Sequence, residues 1–415
     1  MQSPSYSPGF LAAPALRLVG PGFAERVLTS RPGTAWAMNA SGTWQAVAPD
    51  TPRFQGSARR LLVEEARSNA LPNPRAEGAE AGTPGALPTG WSILGTEALT
   101  RTVVGTGTIG GVPYIDLRYS GSLSNAQSWW VLFTSITTVP AAAGEVWSAS
   151  ANAYVVAGSL ANLSASLSLM QRTSTGGYIS GVSSAPGGLP GYPEYRSVSR
   201  EMAAGTGRVI AGLLLQGLTP GAGADVTIRI AGPQLELGPF ASSLVLPPAG
   251  SPGATPRAAD LPIWTPAGGF GSQGTVLLRA MLPNAALFGR SQGLFQIDDG
   301  TDQNRLLVRN TSGGAVVYGV VDSAGATLAA LEGGSVTPGV PFQAAFAWAP
   351  GDQAFCLNGG TVQTAAASLP GGLTRMLVGH ASGALNRAAN GEVALLDYRP
   401  QRLPNAMLQA LSAAA

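Results

Sequence analysis

NRLLVRNTSGGAVVYGVVD, residues 304–322, holds two short apolar runs, 304–310 and 315–322, split by a Thr-Ser-Gly-Gly cluster. Runs of that length, rich in β-branched and aromatic residues and bounded by turn formers, predict strands. The same pattern recurs on both sides. Downstream lie FQAAFAW (342–348), AFCLNG (354–359), RMLVGH (375–380) and GEVALLDYR (391–399); just upstream lie GTVLLRAML (274–282) and LFQID (294–298). Further back, YIDLRY (114–119), SWWVLFTSI (128–136), VWSASANAYVV (146–156), ASLSLM (165–170), RVIAGLLLQ (208–216) and DVTIRI (225–230) repeat it. Only PNAMLQALSAA, 404–414, predicts a helix, with Pro404 at its start and Met407, Leu408 and Leu411 on one face. The fold class is therefore all-β: two antiparallel β-sandwich (jelly-roll) modules after an irregular N-terminal segment, with one short C-terminal helix.

Composition agrees. Gly 56 and Pro 32 supply many turns, and charged residues reach only 11% against 45% hydrophobic, which argues against disorder. A net charge of +2 gives no clustered basic footprint, so nucleic acid is not expected as a partner. There is one cysteine, Cys356, and one histidine, His380, so intrachain disulfides and Cys-rich zinc sites are excluded and a His-based metal site is not expected. No apolar stretch is long enough for a spanning helix, and membrane insertion is not expected. GFLAAPALRLVG, 9–20, lacks a basic start and contains Pro14, so it is not read as a signal peptide. Residues 248–262, PAGSPGATPRAADLP, have linker composition. The expected organisation is 1–72 as an N-terminal segment, 73–247 as a first sandwich, 248–262 as a linker and 263–415 as a second sandwich.

Three stretches carry resemblances. Residues 28–71 contain Arg31, the NASGTW turn (Asn39 to Trp44), Pro52–Arg53–Phe54 and LLVEEARSN (Leu61 to Asn69). In that order they resemble the leader of phage and prophage particle proteins, including head spikes and tail fibres. Taken by themselves, Glu64, Glu65 and Arg67 read as a local ion-pair network. LPNPRAEGAEAG (71–82), GW at 90–91 and the closing IRIAGPQLELGPFASSLVLPP (228–248) resemble jelly-roll carbohydrate-binding modules. That resemblance implies a structural calcium ion near Glu77, although Ala231–Gly232 stand where such modules carry an Asp; no other cofactor is expected. Residues 270–415, with AFCLNGG (354–360) and Asn390–Gly391 before the last strand, resemble the concanavalin A-like, laminin-G-like sandwiches. Together the resemblances imply a virion-surface adhesin, assembled in the bacterial cytoplasm. It would bind host surface polysaccharide and attach to capsid or tail proteins through residues 1–72. Homo-oligomers, often trimers, are common among such proteins.

Chemistry-bearing residues are sparse. The carboxylates Glu64/Glu65, Asp298/Asp299/Asp302, Glu392 and Asp397 could pair for glycoside hydrolysis, but DDGTD (298–302) also reads as a turn. His380 lacks a triad partner in any recognised spacing, and Cys356 lies within an apolar strand. No catalytic residues are assigned, and the expectation is a non-enzyme, with a polysaccharide depolymerase or a purely structural decoration protein as alternatives. Sugar binding needs only aromatic faces and a few donors. Of Trp129 and Trp130, alternation sends one ring to the core and the other to the opposite face. Trp130 then stacks on sugar or packs on a neighbouring module. Tyr178, Tyr192, Tyr195 and Arg196 gather in the loop 176–196, which touches glycan or another subunit. Asn386 and Arg387 in SGALNRAANG are the candidates in the second sandwich.

Overall fold

The computed structural model describes residues 16–19, 26–184, 189, 195–286 and 290–413. The stretch 9–15, most of the segment read against a signal peptide, lies outside them, as does Tyr192. Among the described residues the architecture is all-β with antiparallel pairing and one helix, Asn405–Ser412.

The chain folds as two units, and the boundaries fall elsewhere than the sequence reading places them. One unit takes Met1–Gly42, Ala46–Ala66 and Ala258–Ala415; the other takes Thr43–Gln45 and Arg67–Arg257. Among the described residues, most of 26–66 thus belongs to the first of these units. Arg53–Gln55 and Arg60–Val63 pair with each other, and Arg60–Val63 pairs with Gly391–Arg399, while Leu28–Ser30 pairs with Leu261–Trp264. Leu61 and Val63 are buried among Phe295, Phe346 and Leu396, so apolar burial draws the segment into this sandwich. Nor is 248–262 a free linker: Thr255–Arg257 and Leu261–Trp264 are strands, and Arg257 and Asp260 are buried.

In the first unit an eight-stranded sheet faces a seven-stranded one. The larger runs Gln363–Ala365, Asp352–Leu357, Phe342–Ala349, Gly274–Met281, Gly391–Arg399, Arg60–Val63 and Arg53–Gln55, with Leu16–Val19 also on Gly391–Arg399. The smaller runs Leu28–Ser30, Leu261–Trp264, Arg375–Val378, Gly293–Asp298, Arg305–Asn310, Val316–Ser323 and Ala326–Ser335. Period-two alternation decides what each face holds. Leu306 and Val308 enter the core with Leu278, Phe346, Trp348 and Phe355, which leaves Arg305, Leu307 and Arg309 on the outer face. The helix lays Leu408 on Ala345, Ala347, Ala354 and Cys356, the outer face of the eight-stranded sheet.

In the second unit two five-stranded sheets enclose Trp129, Phe133, Leu167, Leu213 and Ile228. One sheet runs Tyr195–Glu201, Val146–Ser159, Gly223–Leu237, Val112–Ser122 and Thr100–Ile109; the other runs Tyr178–Ser183, Leu163–Arg172, Arg208–Gly217, Ser128–Leu132 and Ser92–Leu94. The long segment of this unit, Arg67–Arg257, begins and ends in one short ladder, Arg67–Asn69 against Thr255–Arg257.

Candidate functional site

The outer face of the seven-stranded sheet assembles one row of polar and aromatic side chains. Cross-strand register places Gly293 beside Arg309, Arg309 beside Tyr318, and Tyr318 beside Glu332. Arg387 joins at the glycine end, because its carbonyl accepts from Gly293 N at 3.0 Å and Ala381 N at 3.1 Å. Gly293 is required there. A Cβ at this position would lie 1.9 Å from Ala381 N and 2.0 Å from His380 C, so any side chain would push the loop off the sheet. At the other end the Tyr318 hydroxyl donates to Glu332 Oε2 at 2.5 Å, and this bond raises the phenol's pKa.

Charge in the row is unbalanced. Among the described residues neither Arg309 nor Arg387 has a carboxylate within ion-pair distance. Arg309 Nη1 reaches only the Asn310 carbonyl, at 3.3 Å. Burial pulls the Arg309 pKa below the usual guanidinium range; Asp322 opposes this, while Arg387 and Arg305 add to it. A partly buried cation with cationic neighbours is a site that an anion or several acceptors would relieve.

Beside the row a saturated polar network fixes the loop. Asp298 Oδ1 accepts from Arg375 Nε at 2.6 Å and Gly300 N at 2.8 Å, and its Oδ2 accepts from Gln296 Nε2 at 2.7 Å. Asp302 accepts from Gln296 Nε2 (2.9 Å), Ser382 Oγ (2.7 Å) and Gly383 N (2.9 Å). Burial works against the Asp302 carboxylate, these bonds outweigh it, and its pKa falls. Arg305 ties Asp322 at 2.8 Å and the Ala381 carbonyl at 3.2 Å. With their oxygens facing donors, these carboxylates make no cation cage, and DDGTD is a turn with Gly300 at φ +99°. Its role is to hold residues 381–387 against the strands.

The residues singled out from sequence meet different fates. Asn386 is exposed and Arg387 half-buried on the row just described. Trp129 lies in the core against Tyr119, ring centroids 5.7 Å apart, and Trp130 takes the opposite face with Leu132, Met170 and Ile210. The Trp130 indole N–H is buried and finds no acceptor among the described residues. Tyr178 is 61% exposed, with the Arg172 guanidinium 6.0 Å from its ring centroid. Two strands separate Tyr178–Ser183 from the Trp130 strand, and Arg196, opposite Ala151, and Tyr195, opposite Asn152, belong to the other sheet. Trp130 and Tyr178 therefore lie apart on one sheet, and Arg196 belongs to the other. Sequence reasoning missed Arg309, Tyr318 and Glu332, although the alternation in NRLLVRN and AVVYGVVD already sets Arg309 and Tyr318 opposite the core-facing residues.

The remaining chemical candidates have structural surroundings. Glu77 Oε1 accepts from Gly250 N at 2.9 Å, and no group of three or more His, Cys, Asp or Glu residues gathers among the described residues. Glu64 pairs with Arg53 at 2.7 Å, Glu65 N donates to Asn390 Oδ1 at 3.0 Å, and Arg67 Nη1 donates to the Leu237 carbonyl at 2.7 Å. Cys356 is buried. His380 is fully buried, its Nε2 2.6 Å from the Asp260 carbonyl oxygen, so Nε2 carries the proton of the neutral ring. Burial pushes its pKa down, partly opposed by Asp260.

That shift predicts a pH effect with a definite sign. A folded pKa below the unfolded value means the unfolded chain binds more protons, so stability is full above about pH 6.5 and falls below it. The slope should reach at most about 1.4 kcal/mol per pH unit. His380→Gln should remove it. Thermal midpoints of both proteins from pH 7.5 to 5.5 test this, since carboxylate effects cancel in the difference; a pH-independent difference would count against it.

No family model matches the chain, and no curated protein matches it. Among solved structures it is similar to the Ruminococcus gnavus IT-sialidase CBM40 bound to alpha2,3 sialyllactose, at 16% identity over 34% of this chain and 83% of that one, TM-score 0.30. It is also similar to the mouse laminin alpha1 chain, domains LG4-5, at 9% identity over 68% and 88%, TM-score 0.26. The tandem CBM22 domains of Paenibacillus barcinonensis Xyn10C give 12% identity over 78% and 98%, TM-score 0.25.

Proposed function

We propose that this chain is a non-catalytic glycan-binding protein whose site is the outer row Arg387–Arg309–Tyr318–Glu332. The observation that carries the reading is an aromatic ring set between an exposed carboxylate and two arginines that have no carboxylate within ion-pair distance among the described residues. A pyranose presents a C–H face and a ring of hydroxyls. Tyr318 offers the first a flat surface, while the guanidiniums and Glu332 offer the second donors and acceptors. The excess positive charge favours a polymer carrying carboxylates. The saturated network beneath supplies preorganisation, which limits the entropy cost of binding.

The phage-type leader resemblance at 28–71 supports placing the protein on a particle surface as an adhesin, where several copies would turn weak single sites into firm attachment. The test is retention on immobilised bacterial capsular polysaccharide, with polymer length measured afterwards. Retention without new reducing ends is expected. Tyr318→Ala and Arg309→Ala should each weaken it about tenfold, equal to about 1.4 kcal/mol, and reduction of the polymer's carboxyl groups should weaken it similarly. Shortened polymer would replace the reading with a depolymerase. Unchanged retention by both variants would remove the row from the binding site.

A further inference from the structure

On the outer face of the eight-stranded sheet a cavity of about 400 Å³ opens, lined by Arg60, Arg279, Met281, Pro341, Gln343 and Ala394 among others. Its origin is local. Leu278 and Ala280 point into the core, so Arg279 points outward. Gln343 is its partner on one side and Leu395 on the other, and the register slips between Arg279 and Ala280. Ala394 falls at that slip, and its single methyl leaves a hollow between Arg279 and the Arg60 strand.

The charges are uneven here too. Arg60 Nη1 is held by Glu392 at 2.9 Å. Arg279, by contrast, makes no hydrogen bond or ion pair among the described residues, so the two guanidiniums and one carboxylate leave one positive charge over. Gln343 Nε2 donates to the Ala413 carbonyl at 2.8 Å, which leaves its Oε1 as an acceptor at the rim. Met281 and Pro341 add apolar wall. The volume lies in the range of about 300–1,000 Å³ usual for small-ligand sites.

We propose that this cavity is a second binding site, on the opposite sheet from the glycan row, for a small hydroxylated organic anion. Arg279 meets its single carboxylate or phosphate, Gln343 accepts from a hydroxyl, and Met281 and Pro341 cover the carbon skeleton. The site is independent of the glycan row, and either reading stands without the other.

Calorimetric titration of the full chain with glucuronate, glucose 6-phosphate and glucose tests it. One or both anions should bind at least tenfold more tightly than glucose, and the stronger of the two names the anionic group. Arg279→Gln should cost at least tenfold. Ala394→Leu, which fills the hollow without changing charge, should do the same. Arg118→Ala, which breaks an exposed ion pair with Asp225 in the other unit, should leave the affinity within twofold. Each variant's thermal midpoint reports folding separately, so a loss of binding without a fall in midpoint belongs to the site. Anions that bind no better than glucose, or an Arg279→Gln variant that binds as wild type does, overturn the proposal. Loss in Arg309→Ala alone would assign the binding to the glycan row instead.

Discussion

Asp260→Ala is expected to destabilise the unit that contains it by about 3–5 kcal/mol, the cost of breaking a buried ion pair from one side. At about 2–4 °C per kcal/mol for a unit of this size, the thermal midpoint should fall on the order of 10 °C. Every polar group of Asp260 is engaged. Its Oδ1 accepts from Arg31 Nη1 at 2.9 Å and Arg53 Nε at 3.1 Å, and its Oδ2 accepts from Arg53 Nη2 and from Glu64 N at 2.9 Å. Its backbone N donates to the Glu64 carbonyl at 3.0 Å, and its own carbonyl meets His380. Arg31 and Arg53 are both fully buried. Burial works against the Arg53 charge, and Asp260 and Glu64 more than offset it, so its pKa rises. Removing Asp260 leaves Arg31 with only carbonyls (Ala48 O at 2.6 Å, Thr51 O at 3.0 Å) and Arg53 with Glu64 as its remaining carboxylate partner in this cluster. Asp260→Asn keeps the shape and removes the charge, so it should recover a minority of the loss. Equilibrium urea unfolding of both variants is the measurement. A cost below about 1 kcal/mol for Asp260→Ala, the level of an exposed pair, would mean that the two arginines find other partners.

This knot also shows where the sequence stops being readable. Arg31 and Arg53 were visible as ordered pieces of a leader, but the carboxylate that pairs with both lies 207 positions beyond Arg53. It sits inside a proline-rich stretch with linker composition. Prolines there are compatible with strands because Pro256 and Pro262 lie in three- and four-residue strands with few ladder bonds to lose. Local composition could not report that the two ends of the inserted segment Arg67–Arg257 meet in one ladder. The long apolar strands were legible, because the alternation that buries Leu306 and Val308 is written into seven consecutive residues; Thr100–Ile109, Ala326–Ser335 and the short strands between residues 16 and 94 were not read from the sequence.

The site divides the same way. Asn386 and Arg387 were legible as polar residues in a glycine- and alanine-rich loop. Their partners were not, since the register joining Arg309 to Tyr318 and Tyr318 to Glu332 exists only once three strands pair. In the other unit the adjacent tryptophans separated as alternation requires, but the tyrosine-rich loop did not gather with Trp130. Its residues are divided between two sheets, a topological fact with no local signature.

Gly293→Ala is the second change with a large expected effect, and it acts on the fold and the row together. The added methyl carbon would meet backbone atoms at 1.9 and 2.0 Å, and backbone cannot rotate away as a side-chain tip can. The strand or the 380–387 loop must shift. Overpacking of this kind costs about 1–3 kcal/mol, so the thermal midpoint should drop by several degrees. The shift also breaks the bonds from Gly293 N to the Arg387 carbonyl and strains the Arg305 bond to Ala381. Arg387 then leaves its place beside Arg309, and polysaccharide retention should fall at least as far as in Arg387→Ala, while Asn386→Ala at the exposed loop should change stability little. The comparison separates two roles. If Gly293→Ala lowers the midpoint but keeps affinity within twofold of wild type, the loop serves only to close the sheet, and Arg309, Tyr318 and Glu332 bind without it. If Gly293→Ala and Arg387→Ala lose affinity together, the glycine is the residue that lets a loop arginine reach a strand arginine, and the row depends on that contact.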